Sequence, residues 1–437
     1  MFKTLVNAFK VKEIRNKILI TLLFVLIYRL GCYIPVPGIG SELISAEDLG
    51  KVSYLNIMSM MSGGALSQGT WLAMGIGPYI NASIIIQLLT VAIPALERLS
   101  KDEDGRKKIS NLTRIGALVL AVLQAIGILV AYGSSTITSS ANGATSFVNL
   151  LGGQAWLAYI LLVIFYASGA LVTVWLGERI TDNGVSNGIS LLIFVGILTT
   201  VGLQSVSMLG EIFKGNLTML WQFIGFIAVI VVVFGLIVFV ELSERKIPVQ
   251  YAKQVKGRKM YGGQSTVIPI KVNATGVMPL IFAFSLLSFP ELIGTMFAPN
   301  GKFVMWWQQW MGTNSWLYMV VLCLLILGFS YFYSMIQFNP DDVSKTIQQN
   351  GGFIPGIRPG RSTADYLRRV QGRITLFGAI FLAFIALVPS ILFKTVLQTS
   401  SSVFSATGLV ICVSVALEFN TALESQIMMK NYKGFLK

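Results

Sequence analysis

Histidine is absent from the 437 residues, and cysteine occurs three times, at Cys32, Cys323 and Cys412, each in an apolar stretch far from the others. Without imidazoles or paired thiols the sequence offers no transition-metal site, and the cysteines act as small hydrophobes. Charge is scarce too: charged side chains make up 12%, with 19 acidic against 33 basic residues. No Gly-x-x-x-x-Gly-Lys-Ser/Thr loop occurs, so energy for any transport has to come from a partner or from a membrane potential. No cofactor and no metal is expected, and nothing marks an enzyme.

Apolar sequence dominates instead. Hydrophobic residues make up 54%, which excludes an ordinary soluble domain and indicates a polytopic membrane protein. Apolar runs long enough to cross a bilayer, about 20 residues each, predict ten spans at 18–37, 71–95, 112–133, 154–176, 188–206, 218–240, 273–297, 316–336, 371–391 and 403–426. Of the 33 Lys and Arg, 28 then fall on the side of the N-terminus, counting Arg114 and Arg373 at helix starts. Lys51, Lys214, Lys302 and Lys394 fall on the other side, and Arg29 lies inside the first span. By the positive-inside rule both termini are cytoplasmic, with 1–17 and 427–437 as cytoplasmic ends. Five spans (18–210) precede and five (211–426) follow, so the halves enter with opposite orientation, the geometry of an inverted repeat.

Val52 through Leu96 carry no charge at all. That is too long for one helix, and its first part is small and mildly polar, so a half-inserted segment at about 54–68 is expected ahead of the second span. Such backbone survives at membrane depth only beside protein or a water-filled cavity. The spans are otherwise nearly free of charge, which argues against ion-coupled transport. Two basic-side loops are long. Residues 241–272 hold Arg245, Lys246, Lys253, Lys256, Arg258 and Lys259 interleaved with tyrosines, then alternate like a strand from Thr266. Residues 337–370 include Gly351–Gly360, in which four glycines and two prolines fix the path around Arg358. Each reads either as a topology determinant or connector, or as a docking surface for an acidic or nucleic-acid-bearing partner.

Several motifs, taken together and in order, resemble the SecY family of bacterial protein-conducting channels: Gly75-Ile-Gly-Pro-Tyr-Ile-Asn-Ala-Ser-Ile-Ile-Ile-Gln-Leu-Leu89, Trp175-Leu-Gly-Glu-Arg-Ile-Thr, Gly184-Val-Ser-Asn-Gly-Ile-Ser190, Gly263-Gln-Ser-Thr, Lys271-Val-Asn and Phe353-Ile-Pro-Gly-Ile-Arg-Pro-Gly360. The resemblance implies an all-α polytopic membrane protein of ten transmembrane helices, in two pseudo-symmetric inverted five-helix halves around an hourglass pore with a short re-entrant plug helix. It implies a pore ring of Ile76, Ile80, Ile189, Ile193, Ile281 and Ile411, and a plug containing Ile57, Met58, Met61, Gly63 and Gly64. A lateral gate would hold Asn81, Gln87, Gln124 and Phe289, and Arg358 and Arg361 would join the six cations of 241–272 in docking a SecA-like motor ATPase or a ribosome. SecE-like and SecG-like small membrane subunits, signal peptides, nascent polypeptides and membrane lipid are the other implied partners, and the bacterial plasma (inner) membrane the implied location. The implied function is to conduct unfolded secretory polypeptides across the membrane and release hydrophobic segments sideways. A small-molecule secondary transporter, which shares ten spans and inverted halves, is the alternative, and an intramembrane enzyme a third.

Overall fold

A computed structural model of the chain describes residues 2–36, 53–138, 155–251, 254–256, 259–261, 265–273, 275–298, 301–312, 315–395 and 406–434. Lys253 and Arg258 lie outside the described residues, as do the side chains of Ile57, Lys256 and Lys259. An amphipathic helix α1 (Phe2–Lys10) leads into α2 (Lys12–Gly31), a short helix α3 (Ser53–Ser62), and α4 (Gly77–Ala92). The chain bends by 109° into α5 (Pro94–Lys101), because Pro94 supplies no N–H and holds Ile93 extended. Long helices follow as α6 (Glu103–Thr138), α7 (Ala155–Asn183), α8 (Gly188–Phe213) and α9 (Leu217–Glu241).

After α9 come the strands β1 (Glu244–Tyr251), β2 (Gln254–Lys256), β3 (Lys259–Tyr261) and β4 (Ser265–Lys271). The remaining elements are α10 (Met278–Phe297), α11 (Lys302–Met311), α12 (Trp316–Gln337), α13 (Pro340–Gln349), β5 (Gly352–Phe353), α14 (Arg361–Thr395) and α15 (Ala406–Gly434). Eight of the described helices are long and apolar enough to cross a membrane, and the bent pair α4–α5, counted as one span, brings the number to nine. The remaining expected span falls on α2, whose charges at Lys12, Glu13, Arg15 and Lys17 shorten its apolar part. The second expected span needs correction at its start: residues 71–76 form buried turns, and helix begins only at Gly77, after Gly75 at φ 52° and ahead of Pro78.

Among the described residues a large apolar core lies mainly within each half. Ala121, Ala125 and Ile128 of α6 meet Leu162, Tyr166 and Ala170 of α7 in the first. In the second, Val233 and Ile237 of α9, Leu280 and Leu287 of α10, Leu322 and Ile326 of α12, Leu382 of α14 and Val410 of α15 interlock. Outward faces remain apolar, as at Leu22, Leu26, Val231 and Phe239, the pattern of helices solvated by lipid.

The all-α expectation is amended only on the basic side, where small sheets stand. β1 lies between β4 and β5, running antiparallel to both, and β2 pairs with β3. Ile247, Val249 and Ile270 of this sheet pack on Ile347 of α13, on Ile354 just after β5 and on Leu367 of α14, so the two long basic loops share one core.

Candidate functional site

The six isoleucines singled out in sequence come from four helices, and the structure gathers all of them into a single cluster. Ile76, Ile193 and Ile411 are buried there, with Ile80, Ile189 and Ile281 half-buried against them. Ile76 stands at the start of α4, Ile189 and Ile193 lie one turn apart on α8, and Ile281 and Ile411 arrive from the other half on α10 and α15. Asn187 sets the entry of α8 by accepting bonds from the backbone N–H groups of Ile189 and Ser190.

A cavity of about 700 Å³ opens on one side of this cluster. Its floor is Ile80, Ile189, Ile193, Ile281 and Ile411, and its walls carry Gln87, Asn187, Glu241, Lys271 and Asn273 toward the base of the sheet. On the opposite side a void of only about 60 Å³ separates Ile80, Ile281 and Ile411 from Met58, Met60 and Met61 of α3. A polar-walled cavity, an aliphatic cluster and a short helix therefore follow one another along the helices. A constriction of branched aliphatics sheds water and offers no fixed hydrogen bonds.

Helix α3 is held through its backbone as well as by its buried methionines. Thr200 Oγ1 donates to Met60 O at 3.2 Å, and α8 comes so close at Gly196 that a Cβ there would lie 1.9 Å from Met61 O. Gly63 and Gly64, at φ 72° and 85°, end the helix in a conformation that favours glycine, with Gly64 N donating to Ser59 O at 2.8 Å. Arg29 reaches across from α2: Nη1 donates to Ser62 O at 3.5 Å and Nη2 to Val195 O of α8.

A second cavity, about 620 Å³ and almost wholly apolar, lies between α4 and α10. Asn81, Ile84, Ile85 and Leu88 line one wall, Phe289 and Ile293 the other, and Phe303 and Val304 of α11 border it. Of the four expected gate residues, Asn81 and Phe289 thus face each other's helices here. Gln87 faces the polar-walled cavity and accepts a hydrogen bond from Tyr333 Oη of α12, tying the two halves together. Gln124 stands apart from both cavities, fully buried on α6, its amide without a hydrogen-bond partner among the described residues.

Comparison with known proteins decides the family. The SecY family model matches residues 70–420. Curated relatives named protein translocase subunit SecY are 40% identical in Streptomyces coelicolor, 39% in Mycobacterium bovis and 36% in Halalkalibacterium halodurans, each alignment covering 100% of both chains. The chain belongs to the SecY family. It is a translocation-channel subunit, a multi-pass membrane protein and not an enzyme. The fold matches a solved protein-conducting channel with TM-score 0.66 at 18% identity, over 94% of this chain and 92% of that one. It also matches Sec61 of the canine ribosome-channel complex with TM-score 0.62 at 17% identity, over 94% and 92%.

On the basic side of this SecY-family fold, Arg245, Lys246, Arg358 and Arg361 are all exposed. Lys246 is paired with Glu244 at 3.2 Å. Arg358 sits on a fixed tip: Gly356 and Gly360 take positive φ, Ser344 Oγ donates to Gly360 O at 2.7 Å, and Thr363 Oγ1 donates to Arg358 O at 2.9 Å. Three participants escaped sequence reasoning. Glu241 Oε1 accepts from Asn273 Nδ2 at 3.0 Å and Ser414 Oγ at 2.6 Å, joining α9, the approach to α10, and α15. Thr200 and Tyr333 were the others, ordinary residues in apolar runs. Only Glu241, a carboxylate at a span's end, carried a visible signal.

Proposed function

We propose that this channel subunit passes unfolded secretory polypeptides from the polar-walled cavity, its vestibule, through the ring of Ile76, Ile80, Ile189, Ile193, Ile281 and Ile411, with α3 as the plug that closes it at rest. The observation carrying this reading is the six-isoleucine constriction with a polar vestibule on one side and α3 on the other. Apolar segments leave sideways between α4 and α10, where a central Leu gains roughly 0.5 kcal/mol and a central charge costs roughly 3 kcal/mol on transfer to lipid. Polar chain continues through.

The sheet-bearing projection and the Arg358 tip dock a SecA-like motor ATPase or a ribosome on the cytoplasmic side, by phosphate or carboxylate contacts that weaken with salt. The basic residues on that side support both termini being cytoplasmic in a bacterial plasma membrane. SecE-like and SecG-like subunits complete the assembly. A stalled secretory substrate tests the path: with Cys32, Cys323 and Cys412 removed, single cysteines at Ile80, Ile193 and Ile281 should each crosslink to it, and only with the motor or ribosome present. Absence of crosslinks together with uptake of a small solute would replace this reading with a solute transporter.

A further inference from the structure

Arg29 is the one cation within the first span, and among the described residues no carboxylate pairs with it. Its guanidinium instead lies 5.5 Å from the centre of the Tyr28 ring and donates to two backbone carbonyls. One is Ser62 O, at the last residue of α3, where carbonyls lack helical partners and the helix dipole is negative. The other is Val195 O, in α8 between Ile193 and Ile197 of the central cluster. The planar fork of an arginine suits two acceptors on separate elements.

We propose that Arg29 is the positioning residue that latches α3 against α8 and keeps the resting channel sealed. The inference rests on the reading of α3 as the plug. To leave its seat, the end of α3 has to give up a charge-assisted bond at membrane depth, where water is a poor replacement. The hinge it would turn on, Gly63-Gly64, begins against the guanidinium: a Cβ at Gly63 would lie 2.4 Å from Arg29 Nη1 and 2.7 Å from Nη2. At Gly64 a Cβ would meet nothing within 4 Å, although its φ of 85° is equally positive. The two glycines therefore share backbone strain and differ in contact with Arg29.

Resting ion leak in membrane vesicles carrying the full-length chain tests this, normalised to inserted protein. Arg29→Gln is expected to raise the leak about tenfold or more, the scale of a lost hydrogen bond to a charged group. Gly63→Ala, which displaces the guanidinium while keeping its charge, is expected to follow it, and Gly64→Ala to leak several-fold less than Gly63→Ala. Deletion of 54–62 sets the ceiling, and Arg29→Gln should add nothing in that background. If the deletion itself does not leak, the plug reading fails. If it leaks while Arg29→Gln and Gly63→Ala match the unmodified chain, the latch alone is overturned. A further rise when Arg29→Gln is added to the deletion overturns it equally. Should Arg29→Gln fail to insert, the Gly63→Ala and Gly64→Ala pair decides.

Discussion

At Gly196 α8 comes close against the backbone of α3, read above as the plug, and Gly196→Ala is a substitution whose effect can be worked from distances. The new Cβ would stand 1.9 Å from Met61 O and 2.8 Å from Met61 C, whereas real Cβ contacts stay beyond 3.0 Å. Helix α3 must therefore retreat by about 1 Å or more. The Thr200 bond to Met60 O starts at 3.2 Å and the Arg29 bond to Ser62 O at 3.5 Å, so the same retreat breaks both. A neutral bond contributes about 1 kcal/mol and one to a charged group about 1.5–3 kcal/mol. Together these amount to roughly 2.5–4 kcal/mol, or about 70-fold to nearly a thousand-fold in the unseated fraction. Resting ion leak per inserted channel is the assay, with Gly202→Ala, which meets nothing within 4 Å, as the silent control. A Gly196→Ala channel that inserts normally and leaks no more than that control would refute the argument that the plug is held by backbone contact with α8.

Further expectations concern the other parts of the site. Arg358→Glu reverses the charge at a rigid exposed tip and should abolish motor-driven translocation while membrane insertion and thermal stability stay unchanged; normal secretion would remove this residue from the docking surface. Tyr333→Phe deletes the bond to Gln87 that joins the two halves, and a loss of about 0.5–1.5 kcal/mol should let marginally apolar segments enter lipid roughly two- to tenfold more often. An unchanged insertion ratio in a reporter series would place that bond outside the gate. Glu241→Ala strands the Asn273 amide and the Ser414 hydroxyl, at a cost of about 1–3 kcal/mol, and should lower the unfolding temperature by a few degrees. Glu241→Gln keeps an acceptor oxygen and should recover most of the loss, as followed by heating in detergent.

Hydropathy made most spans legible because lipid contact requires long apolar runs, but it could not locate where helix begins. Trp71–Met74 are apolar enough to join a span, yet they are buried turns walled in by protein, and an apolar count does not distinguish the two environments. Conversely, α6 begins at Glu103 and α14 at Arg361, well before their apolar parts, because a helix continues into water as readily as it crosses lipid. That six isoleucines would cluster was readable only through motifs: nothing in local sequence separates Ile193 from an outward-facing isoleucine such as Ile160, which is 51% exposed. Contacts such as Ser414 to Glu241, 173 residues apart, exist only after the helices have packed. The strand at Ser265–Lys271 was legible because its alternation is local.

The fastenings of α3 to Thr200 and Arg29, and its close approach to Gly196, all meet main-chain oxygens of Met60, Met61 and Ser62. Every amino acid supplies the same carbonyl. These particular fastenings do not depend on which side chains α3 carries, whereas the buried Met58 and Met60 and the half-buried Met61 must still fit the apolar surroundings they pack into. For the fastenings the burden of heredity falls on the socket, on a glycine, a threonine and an arginine that lie far from α3 in sequence.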